Sequence, residues 1–320
     1  MDISKRDEAI AHILKPETKV AVLYFDDWIS KTDLLKAAEQ GFNVLVLAFY
    51  LDNTLGTDNV ENWAKDFSPC QRNKLLNELH ANNVILMYSF GGATSDPPFQ
   101  ATGKTLAEYA LQFGYDGVDL DLENFSQVTL RTNYESIKTI GEDFKANAPK
   151  LLLTSAPQGP YFFPSNWQGN TVPSSQSYTD IAKLPEFDWQ NIQYYNQHKY
   201  ITYESLFTTD LTSVQQLTVN KGIPATKIVI GKPGGYNGAS NGFMTPSVFS
   251  ASLTRAQNEN IGFKGVMFWQ YTNKWIRDKS MMQALVPVLN LRTPKLDTPD
   301  CPGTWPSNPP GPAPGPFKPP

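Results

Sequence analysis

The feature of the sequence that most constrains its fold is a series of short apolar runs, separated by segments of helical character. Each run is four to eight residues long and most are apolar on both faces, which is typical of buried parallel strands. Their starts are mostly about 30 to 40 residues apart, which leaves room for a crossover helix and its loops. The eight runs are 20–25, 43–49, 84–90, 115–122, 151–155, 191–195, 227–231 and 264–269.

The segments between the runs carry the start and stop signals of helices. Ser68 and Pro69 precede 70–82, so a capping residue and a proline begin that helix, and the predicted helix over 32–40 ends at a glycine. Eight buried strands that alternate with helices predict an α/β fold, a single closed (β/α)8 TIM barrel over residues 1–290. The alternative is an open doubly wound sheet, but the glycine-rich nucleotide motifs usual in such sheets do not occur in the sequence.

A change of composition marks the predicted end of the barrel. Residues 291–320 contain 11 prolines, and proline supports neither a strand ladder nor a continuous helix. We therefore expect a disordered Pro-rich tail. The composition favours a linker to a further module over a tail without a function, because stiff Pro-rich spacers commonly separate two modules.

Several classes of function are disfavoured by composition and spacing. A net charge of −4 argues against nucleic acid as a partner, and the sequence has no apolar run long enough for a transmembrane helix. The histidines are scattered without metal-ligand spacing, so we expect no metal and no other cofactor. No Gly-x-Ser-x-Gly motif occurs, which disfavours a serine hydrolase. Cys70 and Cys301 form one bridge or are both free, and the sequence leaves that open.

The most unusual of the eight runs carries three carboxyls, here called the acidic row. Asp119, Asp121 and Glu123 alternate with Val and Leu within 118–122, and residues two apart share one face of a strand. The aliphatic side chains then face the surrounding helices, and the carboxyls point into the barrel. Glu123 is nearest the carboxyl end of the strand, where the active sites of such barrels lie.

Three ionised carboxylates inside a barrel would be costly, so the pKa of at least one is expected to be raised. A carboxylic acid kept protonated near neutral pH is what a general acid requires, and Glu123 is the candidate. A solvated acidic loop fits less well, because the alternation with Val and Leu is too regular. A calcium loop also fits less well, because residue 124 is Asn where an EF-hand needs Gly.

The residues around the acidic row resemble a known family. Asp-Gly-Val-Asp-Leu-Asp-Leu-Glu at 116–123 fits the Asp-Gly-x-Asp-x-Asp-x-Glu signature of glycoside hydrolase family 18, the chitinases and their relatives. Ser-Phe-Gly-Gly at 89–92 and Ala-Pro-Gln at 156–158 resemble motifs that this family has on its third and fifth strands. Residues 192–196 resemble the sixth-strand Gln-Phe-Tyr-Asn of short plant and fungal chitinases, and 265–269 resemble the eighth strand with its terminal Trp.

The resemblance implies a mechanism in which the substrate's own acetamido oxygen attacks the anomeric carbon. Glu123 then protonates the leaving oxygen and later activates water. Asp121 orients the acetamido N–H, and Asp119 holds a proton shared with Asp121. Tyr195 hydrogen-bonds the acetamido oxygen, and Trp269 forms the floor under that sugar.

Further positions receive roles from the same resemblance. Gln193, Asn196, Gln158 and Tyr24 are expected to contact substrate. Ser89, Gly91, Gly92 and Asp116 are expected to be structural, with Ser89 donating a hydrogen bond to Asp119. Additional stacking platforms for sugar rings are expected among the aromatic residues Trp28, Trp63, Trp167, Trp189, Trp275 and Tyr236.

The predicted function is that of an endo-acting, retaining chitinase that hydrolyses β-1,4-linked N-acetylglucosamine. The alternatives are an endo-β-N-acetylglucosaminidase on N-glycans and a non-catalytic chitin-binding lectin on the same barrel. The chain is expected to act as a monomer on chitin or chito-oligosaccharides, with a carbohydrate-binding module beyond the tail. Although residues 1–16 lack the apolar stretch of a signal peptide, the location of chitin favours secretion.

Overall fold

The prediction of a (β/α)8 barrel is confirmed by the computed structural model, which describes residues 1–26, 29–51, 59–93, 100–123, 130–163, 178–301 and 305. Within these ranges eight parallel strands close into a barrel in chain order, because the first strand pairs with the eighth as well as with the second. The strands are β1 Val20–Phe25, β2 Val44–Tyr50, β3 Ile85–Gly91, β4 Gly117–Asp121, β5 Leu152–Ser155, β6 Trp189–Gln193, β7 Ile228–Pro233 and β8 Gly265–Trp269.

Helices connect the strands and cover the outside of the barrel. The two predicted helices, 32–40 and 70–82, each lie one residue earlier in the structure, because Ser30 and Ser68 cap them through reciprocal capping boxes. The helices are α1 Ile3–Leu14, α2 Lys31–Glu39, α3 Asn59–Lys65, α4 Pro69–Ala81, α5 Gly103–Phe113, α6 Leu130–Asn147, α7 Tyr178–Lys183, α8 Tyr203–Phe207, α9 Pro246–Asn258, α10 Lys274–Arg277 and α11 Ser280–Leu289.

Strand pairing moves one strand boundary that matters for the site. The sequence predicts a strand over 191–195, but β6 begins at Trp189, which pairs with Thr154 of β5. The ladder between β6 and β7 ends at the pair Gln193 and Gly231. Tyr195 therefore lies beyond the carboxyl end of β6, in the chain that leads toward α8.

The apolar core occupies the space between the strands and the helices. All six residues of β1 and the first five of β2 are buried, as expected for strands covered on both faces. The interior of the barrel near β4 is polar instead, with Ser89, Asp119, Thr154, Asn191 and Gln193 all buried. The fold thus places a polar interior inside an apolar shell.

The chain after α11 runs along the outside of the barrel through residue 301 without forming a helix or strand. The amide of Leu296 hydrogen-bonds the Glu39 side chain, and Cys301 is joined to Cys70 at the start of α4 by a disulfide. The disulfide answers the question that the sequence left open. The domain boundary at 291 stays a prediction, since the rest of the tail, apart from Trp305, lies outside the described residues.

The disulfide is expected to stabilise the fold, because it cross-links residues 231 positions apart and so constrains the unfolded chain. Cys301→Ser should lower the free energy of unfolding by about 2–4 kcal/mol. Thermal denaturation followed by circular dichroism measures this as a lower melting temperature.

Cys70→Ser is the control for this prediction. It should give the same loss, and Cys70→Ser with Cys301→Ser should give no further loss, because both changes remove one bond. Additive losses from the two single variants would contradict a native cross-link.

Candidate active site

The acidic row lies inside the barrel at the carboxyl end of β4. Asp119 and Asp121 are in the strand and Glu123 is two residues beyond Asp121. Val118, Leu120 and Leu122, which alternate with these carboxyl residues, are buried. Side chains from β1, β3, β5 and β6 all reach Asp119, and strands on opposite sides of a barrel meet only in its interior. The alternation seen in the sequence therefore does direct the carboxyls inward.

Asp119 sits at the bottom of the row with all of its acceptor positions used. Its Oδ2 accepts hydrogen bonds from Tyr24 Oη at 2.7 Å and Ser89 Oγ at 2.9 Å. Its Oδ1 accepts from Thr154 Oγ1 at 2.6 Å and Asn191 Nδ2 at 3.1 Å. Burial raises the pKa of Asp119, and these hydrogen bonds lower it. The Asp119 carboxyl is thus fixed in place by four donors.

Asp121 is in the middle of the row and its pKa is raised well above its usual range. Burial is the largest cause, followed by repulsion from Glu123 and then from Asp119, while a hydrogen bond from Gln193 opposes the rise. Gln193 Nε2 donates to Asp121 Oδ1 at 2.9 Å. Asp26, after β1, adds a smaller repulsion. Asp121 therefore binds a proton more readily than an ordinary aspartate.

Glu123 is the outermost member of the row and has a raised pKa, caused by burial. Hydrogen bonds with Gln158, Gln193 and Asp121 lower that pKa. The two carboxyls therefore share a proton and titrate as a pair. The sharing of a proton between Asp119 and Asp121 stays a prediction, and the structure shows four other donors on the oxygens of Asp119.

Two residues of the segment after β5 hold Glu123 itself. Gln158 Nε2 donates to Glu123 Oε2 at 3.0 Å, and Tyr161 Oη donates to the Glu123 carbonyl oxygen at 2.7 Å. Gln158 also forms a parallel bridge with Gln193. A side-chain and a main-chain contact together orient the Glu123 carboxyl, although Glu123 is beyond the end of its strand.

Two glycines let the chain after β3 approach the acidic row. Gly91 has φ +115°, and a Cβ there would be 2.3 Å from the Asp121 carbonyl oxygen. Gly92 donates its amide to the same oxygen at 2.7 Å. Only glycine adopts this backbone at such a close contact, so both glycines position Asp121.

Asp116 precedes β4 and faces away from the acidic row. It is fully buried, and its carboxyl accepts hydrogen bonds from the Leu86 amide at 2.7 Å and from His80 Nε2 at 2.9 Å. It joins β3, β4 and α4 on the helix side of the barrel. These contacts are consistent with its predicted structural role.

Aromatic side chains lie beside the acidic row. Trp269, at the end of β8, stacks on Phe49 with ring centroids 5.7 Å apart and tilts against Tyr24 at 5.9 Å. Tyr195 is 5% exposed, and burial raises its pKa well above its usual range. Repulsion from Asp121 and then from Glu123 adds to the rise. Tyr195 therefore stays protonated and able to donate.

Three of the predicted substrate contacts have other partners in the structure. Tyr24 is 1% exposed, and its hydroxyl donates a hydrogen bond to Asp119. Gln193 is 3% exposed, and its amide donates to Asp121 and to the Ala156 carbonyl. Asn196 is exposed, but its Oδ1 accepts from the Ser240 amide at 2.9 Å. Tyr24 and Gln193 therefore position the acidic row from below, and Asn196 fastens a loop after β7.

Thr154, Asn191 and Tyr161 were missed from the sequence. Thr154 and Asn191 are polar residues within buried strands, and that placement is a signal that could have found them. Tyr161 lies in a short 3-10 helix, Gly159–Phe162, and nothing in the sequence singles it out.

The aromatic residues predicted to stack on sugar rings differ in their exposure to solvent. Trp63 and Trp189 are fully buried in the core, so neither can stack on a sugar. Tyr236 is 69% exposed and packs against Phe243, which stacks on Trp275. Trp28 and Trp167 lie outside the described residues.

Neither a metal site nor a membrane-spanning helix is present among the residues that the structure describes. No group of three or more His, Cys, Asp or Glu side chains among them is arranged to hold a metal ion. None of the described helices has the length and apolar character needed to cross a membrane.

A closed barrel with a row of inward carboxyls at the carboxyl end of one strand has the architecture of a barrel glycoside hydrolase. The sequence model of the glycosyl hydrolases family 18 matches residues 20–242, which is more than half of the chain. The chain therefore belongs to glycosyl hydrolase family 18, the family indicated by its 116–123 motif.

Two curated relatives show the extent of the similarity in sequence. An endochitinase of Saccharomyces cerevisiae is 25% identical over 154 residues, which are 48% of this chain and 24% of that protein. The chain thus spans about a quarter of the length of that relative. A chitinase of Enterococcus faecalis is 20% identical over 294 residues, covering 78% of this chain and 80% of that protein.

Two solved structures show the similarity in fold. A GH18 chitinase from Pseudoalteromonas aurantia has a TM-score of 0.64 at 19% identity and covers 82% of this chain and 99% of its own. A xylanase and α-amylase inhibitor protein from Scadoxus multiflorus has a TM-score of 0.57 at 16% identity and covers 84% and 98%. The same barrel is therefore present in an enzyme and in an inhibitor.

The raised pKa of Asp121 predicts how stability depends on pH. The folded chain binds a proton at Asp121 more tightly than the unfolded chain does, so this stabilisation is fully present below the unfolded pKa. It is lost as the pH rises through the raised pKa. Asp121→Asn removes the titration but keeps an oxygen that accepts from Gln193. As the pH rises from about 4 to about 8, we expect the melting temperature of Asp121→Asn to decrease by less than that of the wild type.

Calorimetry across that pH range measures the difference. Glu108→Gln, which changes an exposed carboxylate on α5, is the control and should keep the wild-type pH dependence. Parallel curves for Asp121→Asn and the wild type would mean that Asp121 does not hold the proton.

Proposed function

We propose that this protein is an endo-acting chitinase that hydrolyses β-1,4-linked N-acetylglucosamine with retention, using the substrate's acetamide as the nucleophile. The observation that carries the proposal is the inward row of Asp119, Asp121 and Glu123, in which Gln193 holds Asp121, Gln158 holds Glu123, and burial raises the pKa of both carboxyls. A protonated carboxyl at the open end of that row is a general acid. Membership of family 18 and the two chitinase relatives support a chitin-type substrate.

The acidic row offers no suitable second nucleophile. A protein carboxylate that attacks the anomeric carbon stands about 5–5.5 Å from the acid. Asp121 is hydrogen-bonded to Glu123, which is too close, and Asp119 is fully buried under four donors. Substrate assistance resolves the difficulty, because an N-acetylated sugar brings its own nucleophilic oxygen.

In the proposed reaction, Glu123 donates its proton to the glycosidic oxygen as the bond from that oxygen to the anomeric carbon breaks. The acetamido carbonyl oxygen forms the new bond to the same carbon, which gives a cyclic oxazolinium ion. The proton that the pair shares is on Glu123 at this stage, so Asp121 is ionised; it turns from Glu123 to the acetamido N–H and stabilises its growing positive charge. Glu123, now ionised, takes a proton from the water that opens the ring, so the product keeps the original configuration.

Tyr195 and Trp269 complete the proposed subsite. Tyr195 donates its hydroxyl to the acetamido oxygen, and its raised pKa keeps that proton in place. Trp269 offers a ring face at the end of β8 and is held by Phe49 and Tyr24. The stacked support fixes the ring, which favours a rigid platform for the sugar.

The endo mode of cleavage is supported by the connection between β7 and β8. Residues 234–264 contain a loop and α9 but no inserted domain of the kind that deepens a cleft. An open groove admits the middle of a polymer. We also propose secretion, which the disulfide supports because such bonds persist in oxidising compartments. We further propose that the protein acts as a monomer and that a carbohydrate-binding module follows the tail.

Glu123→Gln tests the proton donor. The amide keeps the shape of the side chain and an oxygen for the hydrogen bond from Gln158, but it has no acidic proton. We expect cleavage of a chitin hexamer to fall by roughly 10²- to 10⁴-fold while binding is retained. Reducing-end assays measure the first quantity and isothermal titration calorimetry the second.

The same assays distinguish the alternatives. Wild-type cleavage at internal bonds supports the endo mode, and release of N-glycans in preference to chitin oligomers points to the glucosaminidase. A wild-type protein that binds the hexamer without cutting it is a lectin. Equal rates for Glu123→Gln and the wild type would remove Glu123 as the proton donor.

A further inference from the structure

Lys232 is a buried cation near the site that the proposed reaction does not use. It lies on β7 and is 1% exposed. Its Nζ donates to the carbonyl oxygens of Tyr194 at 3.2 Å and Gly242 at 3.3 Å, and also to that of Tyr200. An ammonium has three N–H donors, so each has one carbonyl partner.

Burial makes this lysine costly. Desolvation lowers the pKa of Lys232 to about 7. An apolar side chain of similar size at a buried position is often as stable or more stable than a charged one. This destabilising lysine lies where the chain after β6 meets the chain after β7.

The carbonyls bound by Lys232 lie on both sides of Tyr195. Tyr194 directly precedes it, and its own hydroxyl is anchored on the Thr212 carbonyl. Gly242 has φ +98°, and a Cβ there would be 2.6 Å from both Cα and Cβ of Tyr195. The loop after β7 therefore packs directly on the Tyr195 backbone.

We propose that Lys232 is a positioning residue for Tyr195. By holding Tyr194 and Gly242 on one ammonium, it locks the loops after β6 and β7 together and fixes the Tyr195 hydroxyl relative to Asp121 and Glu123. The proposal rests on the proposed function for its kinetic consequence. The structural clamp itself is independent of substrate.

The chain contains a matched control. Lys264 precedes β8 at the opposite, amino end of the barrel and is 3% exposed. Its Nζ donates to the carbonyls of Ile13 and Lys15, both at 2.8 Å, and burial lowers its pKa to about 8. It is thus a buried ammonium bound to main-chain carbonyls, but it holds the end of α1 instead of the site.

Lys232→Met and Lys264→Met are compared in kcat and KM on a chitin hexamer, each with and without Tyr195→Phe. Lys232→Met should lower kcat by about 10- to 100-fold, because a small displacement of a catalytic group is costly. Lys264→Met should stay within about twofold of the wild type, since it lies far from the reacting atoms. In the Tyr195→Phe background, Lys232→Met should cause little further loss, because both changes then disable the same contact.

Hydrogen exchange provides a readout that needs no activity. Lys232→Met should speed exchange of the amides in 194–200 and 240–243 and leave those around α1 unchanged, whereas Lys264→Met should do the reverse. Lys232→Gln, which keeps two N–H donors, should restore part of the protection and serves if the Met variant does not fold.

Each negative result has a distinct meaning. A wild-type protein that cleaves no chitin oligomer overturns the proposed function, while the exchange comparison still tests the clamp. Equal kinetic losses in both Met variants, additive losses with Tyr195→Phe, or unchanged exchange at 194–200 overturn the role of Lys232.

Discussion

Four hydrogen bonds from four different strands converge on the Asp119 carboxyl, and the rest of the site depends on them. They occupy both oxygens of Asp119 and fix its carboxyl beneath Asp121. Burial, and then repulsion from Glu123 and Asp119, raises the pKa of Asp121. Because Asp121 is also hydrogen-bonded to Glu123, a proton is held at the open end of the row.

Hydrogen bonds from several strands stabilise the acidic row, which explains why polar groups can be buried inside this barrel. Asp119 and Asp121 have partners on other strands, and Glu123 has Gln158 after β5. A satisfied network is stable where an isolated group is not. Gly91 serves the same end through the main chain, since its close approach gives β3 contact with the Asp121 carbonyl. Site and fold therefore share one set of contacts.

The sequence predicts the barrel, the inward row and the place of Glu123, because the strand period of two and the burial of both strand faces are local properties. It does not predict the partners of the row. Thr154 and Asn191 reach Asp119 only through barrel closure, and the register that brings Tyr24 below the row pairs residues far apart in sequence.

The central claim is that the acidic row acts with a nucleophile supplied by the substrate. The most direct measurement compares hydrolysis of an N-acetylglucosamine oligomer with that of the same oligomer after deacetylation, with the anomeric configuration of the first product followed by NMR. If the substrate supplies the nucleophile, the acetylated oligomer is cleaved to a product of retained configuration and the deacetylated one is not cleaved. Comparable rates on both oligomers would contradict it, because the nucleophile would then belong to the protein.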